Sequence, residues 1–145
     1  MSTATTNRLL NRLIAMHNCS LPAYLTYAAP AWHRGDEAAK ETLRLVAADQ
    51  RETSERLAAM VLQQHGLVDN GKFPIYYTGY HDLSFDFLLG EIIKEQKEDL
   101  VEIEAVVSQL SLVPLARALA EETLGAAKGH LESLNELKQA PSAAP

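Results

Sequence analysis

Apolar side chains recur at spacings of three and four along most of the chain, and glycine and proline interrupt the pattern at only a few places. That period lays the apolar set along one face of an α-helix. Four helices are predicted, near 5–29, 36–66, 82–111 and 114–138. In the first, Leu9, Leu13, Met16, Ser20, Ala23 and Tyr27 share a face, with Thr5 or Thr6 as the expected cap. Pro22 should kink this helix and Pro30 should help end it. The second opens at Asp36, carries Leu43, Val46, Gln50, Thr53, Leu57 and Met60 inward, and reaches Gly66, which suits a left-handed C-terminal cap. The third is capped by Asp82 or Ser84 and turns Leu89, Ile93, Gln96, Leu100, Ile103 and Val107 inward. The neighbouring register would bury Glu95, Asp99 and Glu102 and is disfavoured. The fourth begins at Pro114 and presents Ala116, Ala120, Thr123, Ala127, His130, Leu134 and Leu137.

The connections set the expected topology. Short turns near 30–35 and 111–114 make antiparallel neighbours of the helices they join. The segment from Leu67 to His81 is different. A 30-residue helix is about 45 Å long, and 15 extended residues reach about 50 Å. This loop can therefore run the length of the bundle and leave the second and third helices parallel. Its apolar content (Phe73, Pro74, Ile75, Tyr76, Tyr77, Tyr80) predicts that it lies packed along the helices, with an exposed tyrosine interface as the alternative. The expected fold class is all-α: a four-helix bundle over 1–138 with a long crossover between helices 2 and 3, then a loose tail, 139–145.

Polar residues interrupt the inner faces near mid-helix: Ser20, Gln50, Thr53, Gln96, Thr123 and His130. In an antiparallel bundle the midpoints meet, so these side chains should form one internal polar layer. Four-helix bundles build metal sites at that level. Paired iron ions need several anionic oxygen ligands, and Ser, Thr, Gln and a neutral His do not supply them. The expected layer satisfies its own hydrogen bonds and holds no metal. Two alternatives stay open. One is a metal site for Fe or Mn around His130, recruiting His17 with Glu91 or Glu95. The other is a small polar ligand held in the layer.

Composition narrows the function classes. A net charge of -6 argues against nucleic-acid binding, which needs a basic footprint. No apolar run is long enough to cross a bilayer, and no secretory signal opens the chain, so the cytoplasm is the expected compartment. A single cysteine, Cys19, excludes an internal disulfide and is expected to be a small buried filler. His33, His65 and His81 are expected to be solvated or capping, and Glu52, Glu55, Glu95, Glu98, Glu102 and Glu104 to be surface charges. Tyr27 is expected inside, near the polar layer. No Ser-His-acid set, glycine-rich phosphate loop or Cys-x-x-Cys is present at motif spacing.

In helix order, lengths and crossover the chain resembles the ferritin-like superfamily, in particular bacterioferritin and rubrerythrin. QRETSERLAAMVLQQHGL is similar to the bacterioferritin second helix, HLESLNEL to the last-helix ending, and Ser20 and Tyr27 keep the spacing of a family Glu and Tyr. The resemblance implies the family's four-helix bundle and a homodimer through the first two helices. Carried over position by position, the di-iron ligands fall on Ser20, Gln50, Thr53, Gln96, Ala127 and His130, of which only the histidine is kept. The resemblance therefore implies a family member without a di-iron centre or cofactor, non-catalytic, and structural or partner-binding in role.

Overall fold

The computed structural model describes residues 1–28 and 37–139. Expectations about Pro30, His33, Asp36 and the tail beyond Gln139 lie outside the described residues. Every regular element within them is helical: α1 (Thr3–Asn18), α2 (Leu21–Ala28), α3 (Glu37–Gln63), a short 3-10 helix (Ile75–Tyr80), α4 (Phe85–Gln109) and α5 (Pro114–Gln139).

The first predicted helix is two helices. Pro22 does not bend a continuous rod; it occupies the first turn of α2, where its missing N–H is no loss. Ser20 caps that new start, its Oγ accepting from the Ala23 N–H at 3.2 Å. The break also turns the chain, so Tyr27 lies 81% exposed and Tyr24 takes the buried position instead. α1 is capped by Ser2, whose Oγ accepts from the Thr5 N–H at 3.1 Å, not by Thr5 or Thr6. α4 is capped by Ser84, accepting from the Phe87 N–H, and not by Asp82.

Gly66 does not supply the left-handed residue after α3. His65 does, at φ 60°, and the Gly66 N–H closes the helix end on the Val61 carbonyl. The C-terminal half of α3 is rotated by one position from expectation: Ser54 and Val61 are buried where Thr53 and Met60 were expected to be, and those two are half-buried. The stripe on α4 is wider than one register, because Leu88 and Ile92 are buried together with Leu89 and Ile93.

Residue pairs fix the helix directions. Asn7 lies against Gly66, Ser54 bonds the Ile14 carbonyl and Ser20 bonds Gln50, so α1 and α3 are antiparallel. Arg56–Glu122 and Asp49–His130 make α3 and α5 antiparallel. α4 turns into α5 through Leu110–Val113 and meets it again at Gln96–Ala127. It is therefore antiparallel to α5 and parallel to α3, the relation the long connection predicts.

The crossover between α3 and α4 is tied down along its course. Both ends of the Asn11 amide hold it, Nδ2 donating to the Leu67 carbonyl at 2.9 Å and Oδ1 accepting from the Asp69 N–H at 2.8 Å. Asn18 Nδ2 donates to Asn70 Oδ1 at 2.8 Å. Gly71, at φ 71°, then passes close over Ala15, where a Cβ would have no room. Beyond it Phe73 and Tyr77 pack on Tyr24.

Among the described residues the interior holds two apolar clusters. One joins Leu10, Leu13, Ile14, Leu57, Val61, Ile103 and Val106 with the start of α5. The other joins Leu21, Tyr24, Leu43, Leu88, Ile92, Ile93 and Leu134. On each long helix, polar side chains lie between the residues of one cluster and those of the other.

Candidate functional site

Four buried polar side chains occupy the level between the clusters: His17, Ser20, Gln50 and Gln96. Ser20 Oγ donates to Gln50 Oε1 at 2.6 Å while accepting from its own helix start, so one hydroxyl joins α2 to α3. Gln96 Nε2 donates to the Ala127 carbonyl at 3.1 Å, joining α4 to α5. Ser54 Oγ donates to the Ile14 carbonyl at 3.4 Å, and Thr123 Oγ1 donates to the Leu119 carbonyl at 2.9 Å. These pairings leave neutral groups largely satisfied among themselves.

The histidines split into two roles. His17 donates from Nδ1 to the Leu13 carbonyl at 2.7 Å, which leaves Nε2 as the unprotonated nitrogen of a neutral ring. Burial pushes its pKa down, the Leu13 bond opposes that, and the nearby His130 and Asp49 act in opposite directions. His130 donates from Nε2 to Asp49 Oδ2 at 2.5 Å, while its Nδ1 is buried without a partner. Asp49 was not among the residues read from the sequence, because it sits one step off the inner stripe of α3. The pair lines a groove of about 460 Å³ with Thr42, Ser133 and Glu136.

Glu95 is not a free surface charge. It is half-buried under the crossover and accepts two phenol hydrogen bonds, Tyr77 Oη to Oε2 at 2.7 Å and Tyr76 Oη to Oε1 at 3.1 Å. Burial raises its pKa against the lowering effect of those two bonds. One turn on, Asp99 is also half-buried; burial first, then Glu95, Glu102 and Glu98, push it up to about 7. Glu98 and Glu102 are exposed, as expected of surface charges. These acids border a groove of about 420 Å³ that reaches inward as far as Ser20, with Arg12 and Lys72 as its cations.

Among the residues at the carried-over ligand positions, Ser20 and Gln50 are brought into contact, Gln96 reaches the backbone of Ala127, Thr53 is half-buried, and His130 turns to Asp49. The alternative set of His130, His17, Glu91 and Glu95 is not assembled, since Glu95 is held by the tyrosines and His130 by Asp49. Among the described residues no three His, Cys, Asp or Glu side chains stand where they could hold one metal ion.

No protein-family model matches the chain, and no curated protein matches it either. Among the described residues no helix is long and apolar enough to cross a membrane.

All five tyrosines of the chain lie in or against the other apolar cluster. Tyr24 meets Tyr77 with ring centroids 5.4 Å apart, Tyr77 meets Tyr76 at 5.1 Å, and Tyr80 meets both Tyr76 and Tyr77. Tyr24 Oη is bonded to His81 Nε2. The sequence marks this stretch only by its density of aromatics. Nothing in the spacing announces that Glu95 accepts from Tyr76 and Tyr77 or that His81 pairs with Tyr24.

Proposed function

We propose that the chain is a ferritin-like four-helix-bundle protein without a di-iron centre, non-catalytic at that centre's level, whose role is structural or partner-binding. One observation carries the reading: the Ser20–Gln50 hydrogen bond occupies, with two neutral groups, the level where a di-iron protein needs carboxylates. Gln96, spent on a backbone carbonyl, supports it in the same way. The helix directions, with α3 and α4 parallel across a long tied crossover, fit the architecture.

The first partner in this reading is a second copy of the chain, joined through the first two helices of the bundle. Leu62, 61% exposed on α3, supplies apolar contact there.

Loading the purified chain with ferrous iron in air, followed by desalting and metal analysis, tests the proposal. Background iron is expected. Two irons per chain would overturn it. The combined variant Ser20→Glu, Gln50→Glu, Thr53→His, Gln96→Glu and Ala127→Glu should gain iron. A folded variant that takes up none would break the alignment with the ferritin-like helices. Sedimentation of the parent chain and of Leu62→Lys tests the dimer: the parent should sediment as a dimer and the variant as a monomer.

A further inference from the structure

Phenol oxidation is chemically tied to proton loss. Removing one electron from a tyrosine makes its hydroxyl strongly acidic, so the step is easy only where a base already accepts that hydrogen bond. A base must sit within normal hydrogen-bond reach of the proton it takes. Two of the five tyrosines here donate to such a base, and a third is paired with one. Tyr76 and Tyr77 donate to the two oxygens of one carboxylate, Glu95, and Tyr24 pairs with His81 Nε2.

The rings are also in series. Tyr76 is 56% exposed, while Tyr77 and Tyr24 behind it are 3% and 7% exposed. Centroid separations of 5.1 Å and then 5.4 Å link the three. Tyr27 stands outside the series, because Phe73 lies between it and Tyr24 and a phenyl ring is much harder to oxidise.

We propose that this cluster is a site of reversible one-electron oxidation, in which Tyr76 meets a diffusible oxidising radical, Glu95 relays the proton between Tyr76 and Tyr77, and Tyr24 with His81 holds the oxidised state. It goes beyond the function proposed above and does not rest on it.

The steps balance. The diffusible radical takes one electron from Tyr76 and is reduced; the Tyr76 hydroxyl proton passes to Glu95 Oε1. Tyr77 then gives an electron to the Tyr76 radical and its own proton to Glu95 Oε2, while the first proton returns from Oε1 to Tyr76. The carboxylate ends the hop with one proton, as it began. Tyr24 next gives an electron to the Tyr77 radical and its proton to His81 Nε2, and Tyr77 recovers the proton from Glu95. The result is an oxidised Tyr24, a protonated His81 and an ionised Glu95. A thiolate in solution restores the site by giving one electron to Tyr24 and becoming a thiyl radical, while His81 returns the proton.

Tyr24 hands over its proton in the tautomer that carries the His81 hydrogen on Nδ1 and leaves Nε2 to accept. In Glu95 the burial that raises its pKa makes the carboxylate a better proton acceptor than one in water.

Flash oxidation of the full chain by photogenerated tris(bipyridine)ruthenium(III) reads the proposal, with phenoxyl and indolyl radicals separated by their spectra. Tyrosine oxidation should slow as pH falls and Glu95 takes up its proton, and should slow in deuterated water. Glu95→Gln, which keeps a hydrogen-bond acceptor but removes the base, should slow it by roughly tenfold or more and make it depend on buffer base. Tyr24→Phe should leave the first step intact and shorten the life of the radical. The surface variant Tyr76→Phe, which removes nothing from the core, should also slow the first step. The proposal fails if Glu95→Gln and Tyr76→Phe both oxidise at the parent rate with the parent pH profile, or if Tyr27→Phe alone abolishes the phenoxyl signal.

Discussion

A Cβ added at Gly66 would lie 2.9 Å from both Asn7 Cγ and Val61 Cγ1, and nearer still to Asn7 Nδ2. Glycine is needed there for space and not for its dihedral freedom, which His65 shows is required one residue earlier. Gly66→Ala should therefore cost about 1–3 kcal/mol in denaturant unfolding, and part of that loss should return in Gly66→Ala/Asn7→Ala. The sequence marks a helix end at this point but cannot say which of two adjacent residues turns left-handed, because the answer depends on a contact 59 positions away. Glu95 and Asp99 make the same point through charge. A helical period places them beside the inner stripe, and only the fold, which brings α1 and the crossover to this side of α4, half-buries them. Asp99 holds its proton to about pH 7 in the fold and to about 3.9 when unfolded. Its contribution to stability is fully present below the unfolded value and is lost as pH rises through the folded one. Asp99→Asn should thus be more stable than the parent at pH 8 by about 1–2 kcal/mol, a figure reduced for partial solvent screening. The gap should shrink toward pH 4, and urea titrations at the two pH values measure it. His17 acts in the opposite sense. Its pKa is lowered by burial, so the fold loses stability as pH falls from about 6.5 toward the folded value. His17→Gln should flatten that part of the stability profile.

At the scale of elements, the apolar period announced every long helix, and Pro114 and Ser84 mark starts that the structure keeps. The period did not reveal that Pro22 divides the first helix, since a proline can kink a helix or begin one, and the difference lies in whether the preceding residues can cap. Ser20 can. Its hydroxyl both accepts from the Ala23 N–H and donates to Gln50. Ser20→Ala removes the cap of α2 and leaves Gln50 Oε1 buried without its donor. Loss of a cap costs about 1 kcal/mol and a buried orphan about 1–3 kcal/mol. Ser20→Ala should accordingly destabilise by more than a cap alone. Adding Gln50→Leu should recover the orphan's share while the loss of the cap remains, and a double-mutant cycle from denaturant unfolding separates the two. Equal costs for Ser20→Ala in the parent and in the Gln50→Leu background would mean that the hydroxyl matters only to α2.

For the molecule as a whole, the parallel relation of α3 and α4 was legible from one fact, a connection long enough to run the length of the helices. How that connection is held was not legible, because asparagines carry no periodic signal and their partners are backbone groups. The structure assigns the task chiefly to Asn11, whose amide accepts from the Asp69 N–H and donates to the Leu67 carbonyl. Asn18–Asn70 and the Cys19 thiol on the Asn70 carbonyl follow further along. A long tether of this kind costs conformational entropy to order, and a few side-chain hydrogen bonds must offset it locally. The crossover should open more readily than the helices beneath it, and Asn11 should govern how often its first half does so. Asn11→Ala deletes both bonds at once, each with a net value of about 0.5–1.5 kcal/mol. Hydrogen exchange of the Asp69 amide should therefore accelerate by roughly tenfold or more, while amides in the middle of α3 and α5 change much less. The ring contacts of Tyr24 with Phe73 and Tyr77 anchor the far end independently, so exchange in the 75–80 helix should stay near the parent rate. Uniform acceleration across crossover and helices alike would instead show that the strap and the bundle open as one unit, and that Asn11 stabilises the whole fold.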